Sequence, residues 1–394
     1  MNIIFFHSHA ITPNSQGVSK VLITLRDLFR EKGHKVIALA MHKLQSDTDV
    51  DDLQFFLPYD NIYSDENISF LCNLIKDYHI EKSINVCGNL DELHLAEVCC
   101  KECKIPLITA IHNMILTPIH NIAAVKEYSL RKHHLMIVYW LFQVPVIKRL
   151  IYYLYIFRYR KYYKSIYDRS DVVVLLNKAM ELELLQMIGL SSSRKTFVIP
   201  NTLNDDPNNV CLNKENIVLW VGKMDTSIKR PDLMLRIWKK VEDAYPDWNL
   251  MMLGKGDGTG EKVWNEMILL AKQLKLKNIS FEGQVKTQPY YNKAKISCVT
   301  STHESFSLVL IESLYSGVVP MAFNSFPMAA DIIEDNVNGL LVSPFDIEEY
   351  ASKLKSVMSN CTRWKILHNN RKYSINKYSK DIVFKKWYKL FSSL

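Results

Sequence analysis

The 394-residue chain lacks the features that mark three classes of protein. Its apolar run LMIVYWLFQVPVI, at 135–147, is too short to span a bilayer, which takes about 20 residues. Its cysteines show no zinc-like paired spacing, so a reduced, cytosolic protein with structural thiols is expected. Its first residues, MNIIFFHSHA, lack a basic segment and a small-residue cleavage site, and predict a buried strand rather than a signal peptide.

The composition is that of a globular enzyme. Hydrophobic residues make up 48% and charged residues 23% of the chain, and 394 residues leave room for two domains, each with its own core. The formal net charge is +8, and its distribution is uneven. Residues 126–169 hold ten Lys/Arg and two acids, so this one stretch carries the whole excess of positive charge.

The stretch 301–320, STHESFSLVLIESLYSGVVP, carries the clearest local pattern. A strand, a polar turn, a helix and a second strand are predicted in the order 296–300, 303–307, 308–315 and 318–323. Ser305 or Ser307 would cap the helix with a side-chain oxygen, and Gly317 would adopt a left-handed conformation after its last turn. A helix N-terminus beside the carboxyl end of a strand is a common place for an anion to bind.

Two carboxylates mark this stretch. Glu304 lies in the turn, and Glu312 lies eight residues later on the helix. Because helical side chains lean toward the N-terminus, Glu312 could accept hydrogen bonds from a pair of hydroxyls above the helix start, as on a ribose. The alternative is that both are solvated surface residues. That alternative is weaker for Glu312, because its helix is otherwise apolar and a buried carboxylate needs partners.

The sequence ESFSLVLIESLYSGVVPMAF, followed by Ala-Asp-Ile-Ile at 330–333 and Asn-Gly-Leu-Leu-Val at 338–342, resembles a known donor site. It is similar to that of retaining GT-B glycosyltransferases of the glycosyl transferases group 1, or GT4-like, family. The similarity is strong over about 170–345 and weak over 1–120. It implies an α/β fold of GT-B architecture, in which two Rossmann-like domains with parallel sheets face an interdomain cleft.

The predicted domains follow from this resemblance. Residues 1–204 form a Rossmann-like acceptor domain with a basic-aromatic insert at about 126–169, and residues 205–377 form a nucleotide-sugar donor domain. A final helix in 378–394 crosses back to the first domain. The polar stretch NTLNDDPNNVCLNK, at 201–214, is the predicted linker.

The first half contributes two candidate site residues. Gly17 follows a predicted strand and opens a helix, where it would let the backbone approach a ligand, although a plain turn glycine has the same position. His112 follows the strand predicted at 106–110, and from there its side chain could donate to a bound sugar or phosphate, with a buried structural histidine as the alternative. An acidic loop with Asp47 and Asp49 could hold a metal ion, but a solvated loop is favoured.

The second half contributes cations and glycines. The resemblance implies that Lys223 and Lys229, after the strand at 216–221 and Gly222, bind the donor diphosphate. Gly254 and Gly256 begin a glycine-rich turn that lacks the dinucleotide-binding spacing, because Thr stands at 259, so a cradle for a phosphate or sugar is favoured.

The resemblance also assigns roles around the nucleotide sugar. The turn that ends in Val285 would lie against the base, and Glu312 would hold the ribose. Glu304 would orient the donor sugar and phosphate together with the backbone of four residues: Ser305, Phe306, Ser307 and Leu308. His112 and Gly17 would act from the opposite domain.

The implied reaction is retaining transfer of a sugar from a UDP- or GDP-sugar to a hydroxyl of a glycan or lipid-linked acceptor, in polysaccharide or lipopolysaccharide biosynthesis. No cofactor is implied beyond the donor, and no metal, because lysines and a helix N-terminus supply positive charge. Three alternatives remain: a GT-B epimerase or phosphorylase, a nicotinamide-dependent oxidoreductase, and a non-catalytic membrane- or polysaccharide-binding protein.

Residues 131–167 mix apolar, aromatic and basic side chains. This composition favours peripheral contact with an anionic membrane, on the cytoplasmic face of the cell membrane. The alternative is a pair of core helices with a basic outer side. Nucleic acid is not an expected partner, because no fold that binds RNA or DNA is indicated.

Overall fold

The computed structural model describes residues 1–12, 17–43, 51–203, 210–211, 213–254 and 259–394. It divides into two compact units. The first unit comprises Met1–Ile115, Leu154–Asn204 and Tyr378–Leu394, and the second comprises Leu116–Tyr153 and Asp205–Lys377. The domain prediction placed all of 1–204 together, whereas the structure assigns Leu116–Tyr153 to the second unit.

The first unit contains a seven-stranded parallel sheet. Its strands are β1 (Asn2–His9), β2 (Lys35–His42), β3 (Gln54–Phe56), β4 (Lys82–Asn85), β5 (Leu107–Ile111), β6 (Val172–Leu175) and β7 (Thr196–Val198). The order across the sheet is β3-β2-β1-β4-β5-β6-β7. The direction in which successive strands are added therefore reverses between β1 and β4, and parallel sheets form a crevice at such a point of their carboxyl edge.

Helices cover this sheet. They are α1 (Val18–Glu31), α2 (Asp65–Asp77), α3 (Leu90–Cys103), α8 (Lys178–Ile188) and the final helix α16 (Lys380–Ser392). The final helix packs on α1, where the ring centroid of Phe29 lies 5.5 Å from that of Phe391 and 6.3 Å from that of Trp387. An ion pair of 2.8 Å between Lys32 and Asp381 adds to this contact. The C-terminal helix is therefore part of the first unit's core.

The second unit contains a six-stranded parallel sheet. Its strands are β8 (Glu215–Val221), β9 (Asn249–Leu253), β10 (Ile279–Gly283), β11 (Ala294–Val299), β12 (Val319–Phe323) and β13 (Leu340–Val342), in the order β10-β9-β8-β11-β12-β13. The order reverses between β8 and β11. The prediction of an α/β chain with two parallel sheets is confirmed.

The helices of the second unit come from both halves of the chain. Those from the first half are α4 (Thr117–His120), α5 (Ile122–Lys132), α6 (Met136–Leu141) and the start of α7 (Pro145–Arg169), which continues into the first unit. Those from the second half are α9 (Pro231–Lys239), α10 (Thr259–Gln273), α11 (Gln288–Lys293), α12 (Leu308–Tyr315), α13 (Pro327–Ile332), α14 (Ile347–Met358) and α15 (Cys361–Ile375).

Candidate functional site

The two loops that carry Lys229 and Glu304 follow β8 and β11, the strands between which the order of the second sheet reverses. Thr300 and Thr302 join these loops. The Thr300 hydroxyl lies 2.9 Å from the carbonyl oxygens of both Lys229 and Arg230, and the Thr302 amide donates to the Ile228 carbonyl at 2.7 Å. The loop after β8 is therefore fixed to the loop after β11 by short hydrogen bonds to its backbone carbonyls.

Lys229 and Glu304 form an ion pair in this position. The Lys229 Nζ lies 2.5 Å from the Glu304 Oε1, and the Ser301 hydroxyl donates to the same oxygen at 2.7 Å. Both charged side chains are largely shielded from solvent. Burial lowers the pKa of the neighbouring His303, although the negative charge of Glu304 opposes this change. The site thus holds one cation and one anion in contact, and a phosphate could compete for the cation.

The turn after Glu304 differs from its prediction. Ser307 begins α12, but its φ is 54° and it makes no side-chain cap to the helix. The predicted serine cap is therefore wrong at Ser307. The Ser307 Oγ is buried and has no hydrogen-bond partner among the residues that the structure describes. A buried hydroxyl in this state could donate to, or accept from, a ligand at the start of α12.

The other turn residues differ in their exposure. Phe306 is buried, whereas Ser305 and Leu308 are partly exposed. Helix α12 spans the predicted Leu308–Tyr315, and Gly317 has a φ of 69°, so both predictions are confirmed.

Glu312 is buried on α12 and accepts a hydrogen bond of 3.0 Å from the Tyr291 hydroxyl. Tyr291, on α11, is fully buried. The solvated-helix alternative for Glu312 is therefore wrong. Sequence reasoning missed Tyr291, because its partner lies 21 residues away and no local pattern links the two.

The glycines after β8 and β9 allow two loops to touch. A Cβ added to Gly254, whose φ is 110°, would lie 2.1 Å from the Gly222 carbonyl oxygen. The Gly254 amide donates to the Gly283 carbonyl at 2.7 Å, which joins the loop after β9 to the end of β10. Gly254 is thus required by backbone packing, whatever its role in binding. Gly256 lies outside the described residues.

Lys223 and Val285 are exposed after β8 and β10. They follow β8 and β10, the two strands that flank β9 in the sheet. Their side chains are available to a ligand, and their predicted contacts with diphosphate and base stay predictions.

The two candidates in the first unit lie at the carboxyl edge of its sheet. Gly17 has a φ of 60° at the start of α1, with open space where a Cβ would be. His112 directly follows β5, and burial, with a smaller effect of nearby His7, lowers its pKa to about 4. His112 is therefore neutral at pH 7 and would act as a hydrogen-bond donor or acceptor rather than as a cation.

The structure describes only part of the acidic loop that followed β2 in the prediction. Asp47 and Asp49 lie outside the described residues. Asp51 pairs with Arg30 at 2.6 Å, and this contact is the main reason why the pKa of Asp51 falls to about 2. Asp51 is therefore engaged in a structural ion pair.

Helix α5 contacts both loops of the candidate site, which sequence reasoning did not anticipate. The Asn121 side-chain amide, just before α5, donates at 2.7 Å to the carbonyl of Thr302 and at 2.7 Å to that of Ser325. The Ser325 hydroxyl in turn donates to the Ser301 carbonyl at 2.7 Å. One amide therefore joins the loop of Glu304 to the loop after β12.

Arg230, next to Lys229, anchors the same helix. Its side chain is 1% exposed and donates to the Ala124 carbonyl at 2.8 Å, to Glu127 at 3.1 Å and to Asp232 at 2.9 Å. A buried guanidinium requires such partners. Both loops of the site are thus held by the start of α5, across 106 residues in the contact with Arg230 and 181 residues in the contact with Thr302.

Residues 131–167, here called the basic-aromatic arm, are mainly exposed. Helix α6 buries none of its residues, and the 25-residue α7 buries only Tyr163 and Ile166. Four apolar side chains of α7 recur at helical spacing on one face, and Phe157 among them is 85% exposed: Val146, Leu150, Tyr153 and Phe157. The core-helix alternative is therefore wrong. Among the described residues, none of the helices has the length and apolarity needed to cross a membrane.

A model of a known protein family matches part of the second half of the chain. The family model described as glycosyl transferases group 1 matches residues 204–377, which form the main part of the second unit. The resemblance read from the sequence is confirmed.

Two curated relatives illustrate the similarity. The chain is 29% identical over 220 residues to a protein of Haemophilus influenzae described as an uncharacterized glycosyltransferase, covering 55% of the chain and 60% of that relative. It is 32% identical over 182 residues to a Campylobacter jejuni enzyme, covering 46% of the chain and 49% of that relative. That enzyme is described as GalNAc-alpha-(1->4)-GalNAc-alpha-(1->3)-diNAcBac-PP-undecaprenol alpha-1,4-N-acetyl-D-galactosaminyltransferase. The chain thus spans about half the length of the curated relatives it matches.

Solved structures share the fold over the whole chain. HepE of Anabaena, in complex with UDP-glucose, superposes with a TM-score of 0.73 at 15% identity and covers 100% of both chains. The lipopolysaccharide outer core galactosyltransferase WaaB, in its apo form, superposes with a TM-score of 0.67 at 13% identity and also covers 100% of both. At these identities, the similarity shows the GT-B fold alone.

Proposed function

We propose that this chain, whose second unit carries a glycosyl transferases group 1 domain, is a retaining glycosyltransferase that uses a UDP- or GDP-sugar. The observation that carries the proposal is the Lys229–Glu304 pair, at the point where the order of the second sheet reverses and beside the start of α12. A cation, a helix N-terminus and a shielded carboxylate together suit a diphosphate joined to a sugar.

The donor would occupy the second unit in an extended arrangement. Glu312, held by Tyr291, would accept hydrogen bonds from the ribose hydroxyls, and exposed Val285 would lie against the base. Glu304 would orient the donor sugar, while the buried hydroxyl of Ser307 and the backbone amides at the start of α12 would bind the phosphates.

The chemistry would need no protein base. The acceptor hydroxyl would form a bond to the anomeric carbon on the face from which the diphosphate leaves, and the leaving phosphate oxygen would take the hydroxyl proton. Lys229 and Lys223 would stabilise the charge that grows on this oxygen. We therefore propose catalysis without a metal ion, with activity that persists in EDTA.

The acceptor would be a glycan or a lipid-linked sugar in the synthesis of a cell-surface polysaccharide or lipopolysaccharide. The basic-aromatic arm would place the enzyme on the cytoplasmic face of an anionic membrane, where lipid-linked acceptors are found. The arm has eight Lys/Arg and no Asp/Glu, so two copies of it would repel each other, whereas an anionic membrane would attract it.

A panel of nucleotide sugars tests this function. The full chain is incubated with UDP- and GDP-sugars, and thermal stabilisation and release of nucleoside diphosphate are measured with and without EDTA. We expect one base to be preferred and the Glu304→Gln variant to release less nucleoside diphosphate. If no nucleotide sugar stabilises the protein and none is consumed by it, the proposal is wrong.

The same panel, together with one assay in cells, separates the alternatives. An epimerised nucleotide sugar, formed without acceptor, would indicate an epimerase, and phosphate-dependent release of a sugar phosphate would indicate a phosphorylase. Stabilisation by NAD(P) rather than by UDP or GDP would indicate an oxidoreductase. Unchanged glycosylation in cells that carry the Glu304→Gln variant would indicate a binding protein without catalysis.

A further inference from the structure

A second polar cluster lies at the carboxyl edge of the first unit's sheet. The order of this sheet reverses between β1 and β4, and the residues concerned lie at the ends of β1 and β2 and on α3, the helix that follows β4. In open parallel sheets, ligands bind at such a reversal, outside the carboxyl ends of the strands. The cluster therefore occupies the position in the first unit that the Lys229–Glu304 pair occupies in the second.

A buried carboxylate is the centre of this cluster. Glu92, in the first turn of α3, is 3% exposed. The Ser8 hydroxyl donates to its Oε2 at 2.6 Å, and the His42 Nε2 lies 3.2 Å from its Oε1. Each carboxylate oxygen thus has its own partner, one at the end of β1 and one at the end of β2. A carboxylate that is buried and bonded on both oxygens fixes the orientation of its partners.

His42 is presented to solvent by this arrangement. Its side chain is 39% exposed, and its ring centroid lies 5.8 Å from that of exposed His9, at an angle of 44°. Because Nε2 faces the carboxylate, neutral His42 carries its proton on Nε2 and leaves Nδ1 as a hydrogen-bond acceptor. The two imidazoles therefore offer ring faces together with an acceptor nitrogen in a fixed orientation.

The charge of the cluster distinguishes its ligand from a phosphate. Glu92 brings a negative charge, and Ser8 is neutral. The neighbouring lysine in the sequence, Lys43, lies over the Phe56 ring at 5.2 Å. A neutral hydroxyl-bearing ring fits such a surface better than an anion does, since a hydroxyl can donate to Nδ1 while its C–H groups contact the imidazole faces.

We infer that Ser8, His42 and Glu92, with His9 beside them, form a subsite that binds a neutral sugar residue of the acceptor. This inference rests on the proposed function. It assigns one class of ligand, a neutral sugar, to the carboxyl edge of the first unit's sheet. His42 contacts the sugar, and Glu92 is a positioning residue that acts through His42 and Ser8.

The test uses the full chain with labelled histidine. Imidazole signals are followed by NMR during titration with methyl α-glycosides of glucose, galactose, N-acetylglucosamine and N-acetylgalactosamine, and separately with inorganic phosphate. We expect at least one glycoside to shift the His42 and His9 signals in a saturable way at millimolar concentration. Phosphate should leave both signals in place.

Variants identify the residues responsible. His42→Gln, at an exposed position, should abolish saturable binding, and Glu92→Gln should weaken it about tenfold, because one charge-assisted hydrogen bond is lost. His79→Asn changes an exposed histidine elsewhere in the unit and should bind like the parent. Circular dichroism establishes that each variant is folded.

Two results would overturn the inference: no glycoside shifts these imidazole signals, or His42→Gln binds the glycoside as tightly as the parent does. Saturable shifts with phosphate alone would also overturn it. Thermal shift with UDP- and GDP-sugars on the same samples tests the proposed function separately. A chain that binds a glycoside here but no nucleotide sugar would keep the subsite and lose the proposed function.

Discussion

Among the described residues, the Lys229–Glu304 ion pair is the only one that links the loops after β8 and β11. A substitution of Lys229 therefore affects both loops. In Lys229→Met, Glu304 loses its partner, and the proposed donor site loses the ammonium group that would face the leaving diphosphate. We expect kcat/KM for the nucleotide sugar to fall by about 100-fold or more, because removal of one such charge-stabilising group commonly costs this much. Initial rates with the preferred donor measure the change.

Two further variants control this experiment. Lys272→Met removes an exposed lysine of α10 and should leave kcat/KM unchanged. Lys229→Arg keeps the charge with a different geometry and should recover part of the rate. A Lys229→Met enzyme with the parent's kcat/KM would remove Lys229 from the donor site.

His112 makes stability depend on pH. Its pKa is about 4 in the folded protein and about 6.5 in the unfolded chain, so the unfolded state binds more protons between these values. The contribution of neutral His112 is therefore complete above about pH 6.5 and is lost as the pH falls toward 4. The free energy of unfolding, measured with denaturant between pH 4 and 6.5, should change with pH less steeply in His112→Gln than in the parent. The difference in slope should be up to about 1.4 kcal/mol per pH unit.

This slope has its own control. Above pH 7, the parent and His112→Gln should differ in unfolding free energy by an amount that does not change with pH. Equal slopes of the two proteins between pH 4 and 6.5 would show that His112 is not held neutral by its surroundings.

At the scale of single residues, local sequence predicted what lies within one loop or helix. Glu304 and Lys229 were predicted as site residues from their resemblance to the family, and the structure places them in contact. Tyr291, Asn121 and Arg230 were missed, because each acts on a partner fixed only by the tertiary fold. Of the two serines predicted as a cap, Ser307 does not cap the helix, and its backbone is left-handed.

At the scale of single elements, helix α5 supports the loops of the candidate site. In Asn121→Asp, an isosteric change, the amide donors to the Thr302 and Ser325 carbonyls are replaced by a carboxylate that these oxygens repel. Loss of two hydrogen bonds of about 1 kcal/mol each should raise amide hydrogen exchange in 302–308 by about tenfold or more. Mass spectrometry of the full chain measures this exchange.

Lys126→Ala is the matched control for α5. Lys126 is exposed on the same helix, and its removal should leave exchange in 302–308 unchanged. Equal exchange in Asn121→Asp and the parent would show that α5 does not hold the loop of Glu304.

The basic-aromatic arm exposes apolar side chains, and its proposed partner is an anionic membrane. The full chain should sediment with vesicles of phosphatidylglycerol and phosphatidylcholine, and less so as salt rises, because salt screens the attraction of the basic residues. Ile137→Asp with Phe157→Asp should reduce binding at least tenfold, since each apolar side chain contributes about 1.5–3 kcal/mol when it leaves water.

Leu269→Asp is the control for this pair, because Leu269 is an exposed leucine of α10 outside the arm. It should sediment with vesicles like the parent. A parent chain that stays in the supernatant with anionic vesicles would contradict the membrane proposal. If it also forms a dimer that the double variant dissociates, the arm contacts a second copy instead.

Elements with strong local patterns were predicted well. Helix α12 has the predicted bounds, because a buried apolar run and clear ends define it. The short strands β3 and β13 were not predicted as strands. With three residues each, they are defined by pairing to a neighbour rather than by their own sequence.

At the scale of the whole molecule, the sequence predicted two parallel sheets but not which segments belong to each unit. Residues 116–153 precede the predicted linker, yet they contribute α4, α5 and α6 to the second unit. The reason lies in the buried contacts of Arg230 and Asn121, which no periodicity or composition reveals. Strand order, in contrast, places a carboxylate at the reversal of both sheets, Glu92 in one and Glu304 in the other.

The stereochemistry of transfer tests the central claim most directly. The full chain is incubated with the α-linked nucleotide sugar preferred in the panel and with an acceptor glycoside, and the anomeric proton signals are followed by NMR. The account predicts release of nucleoside diphosphate together with a new glycoside of the donor's own α configuration. A β-configured product, or a nucleotide sugar changed at a ring carbon with no transfer, would contradict it.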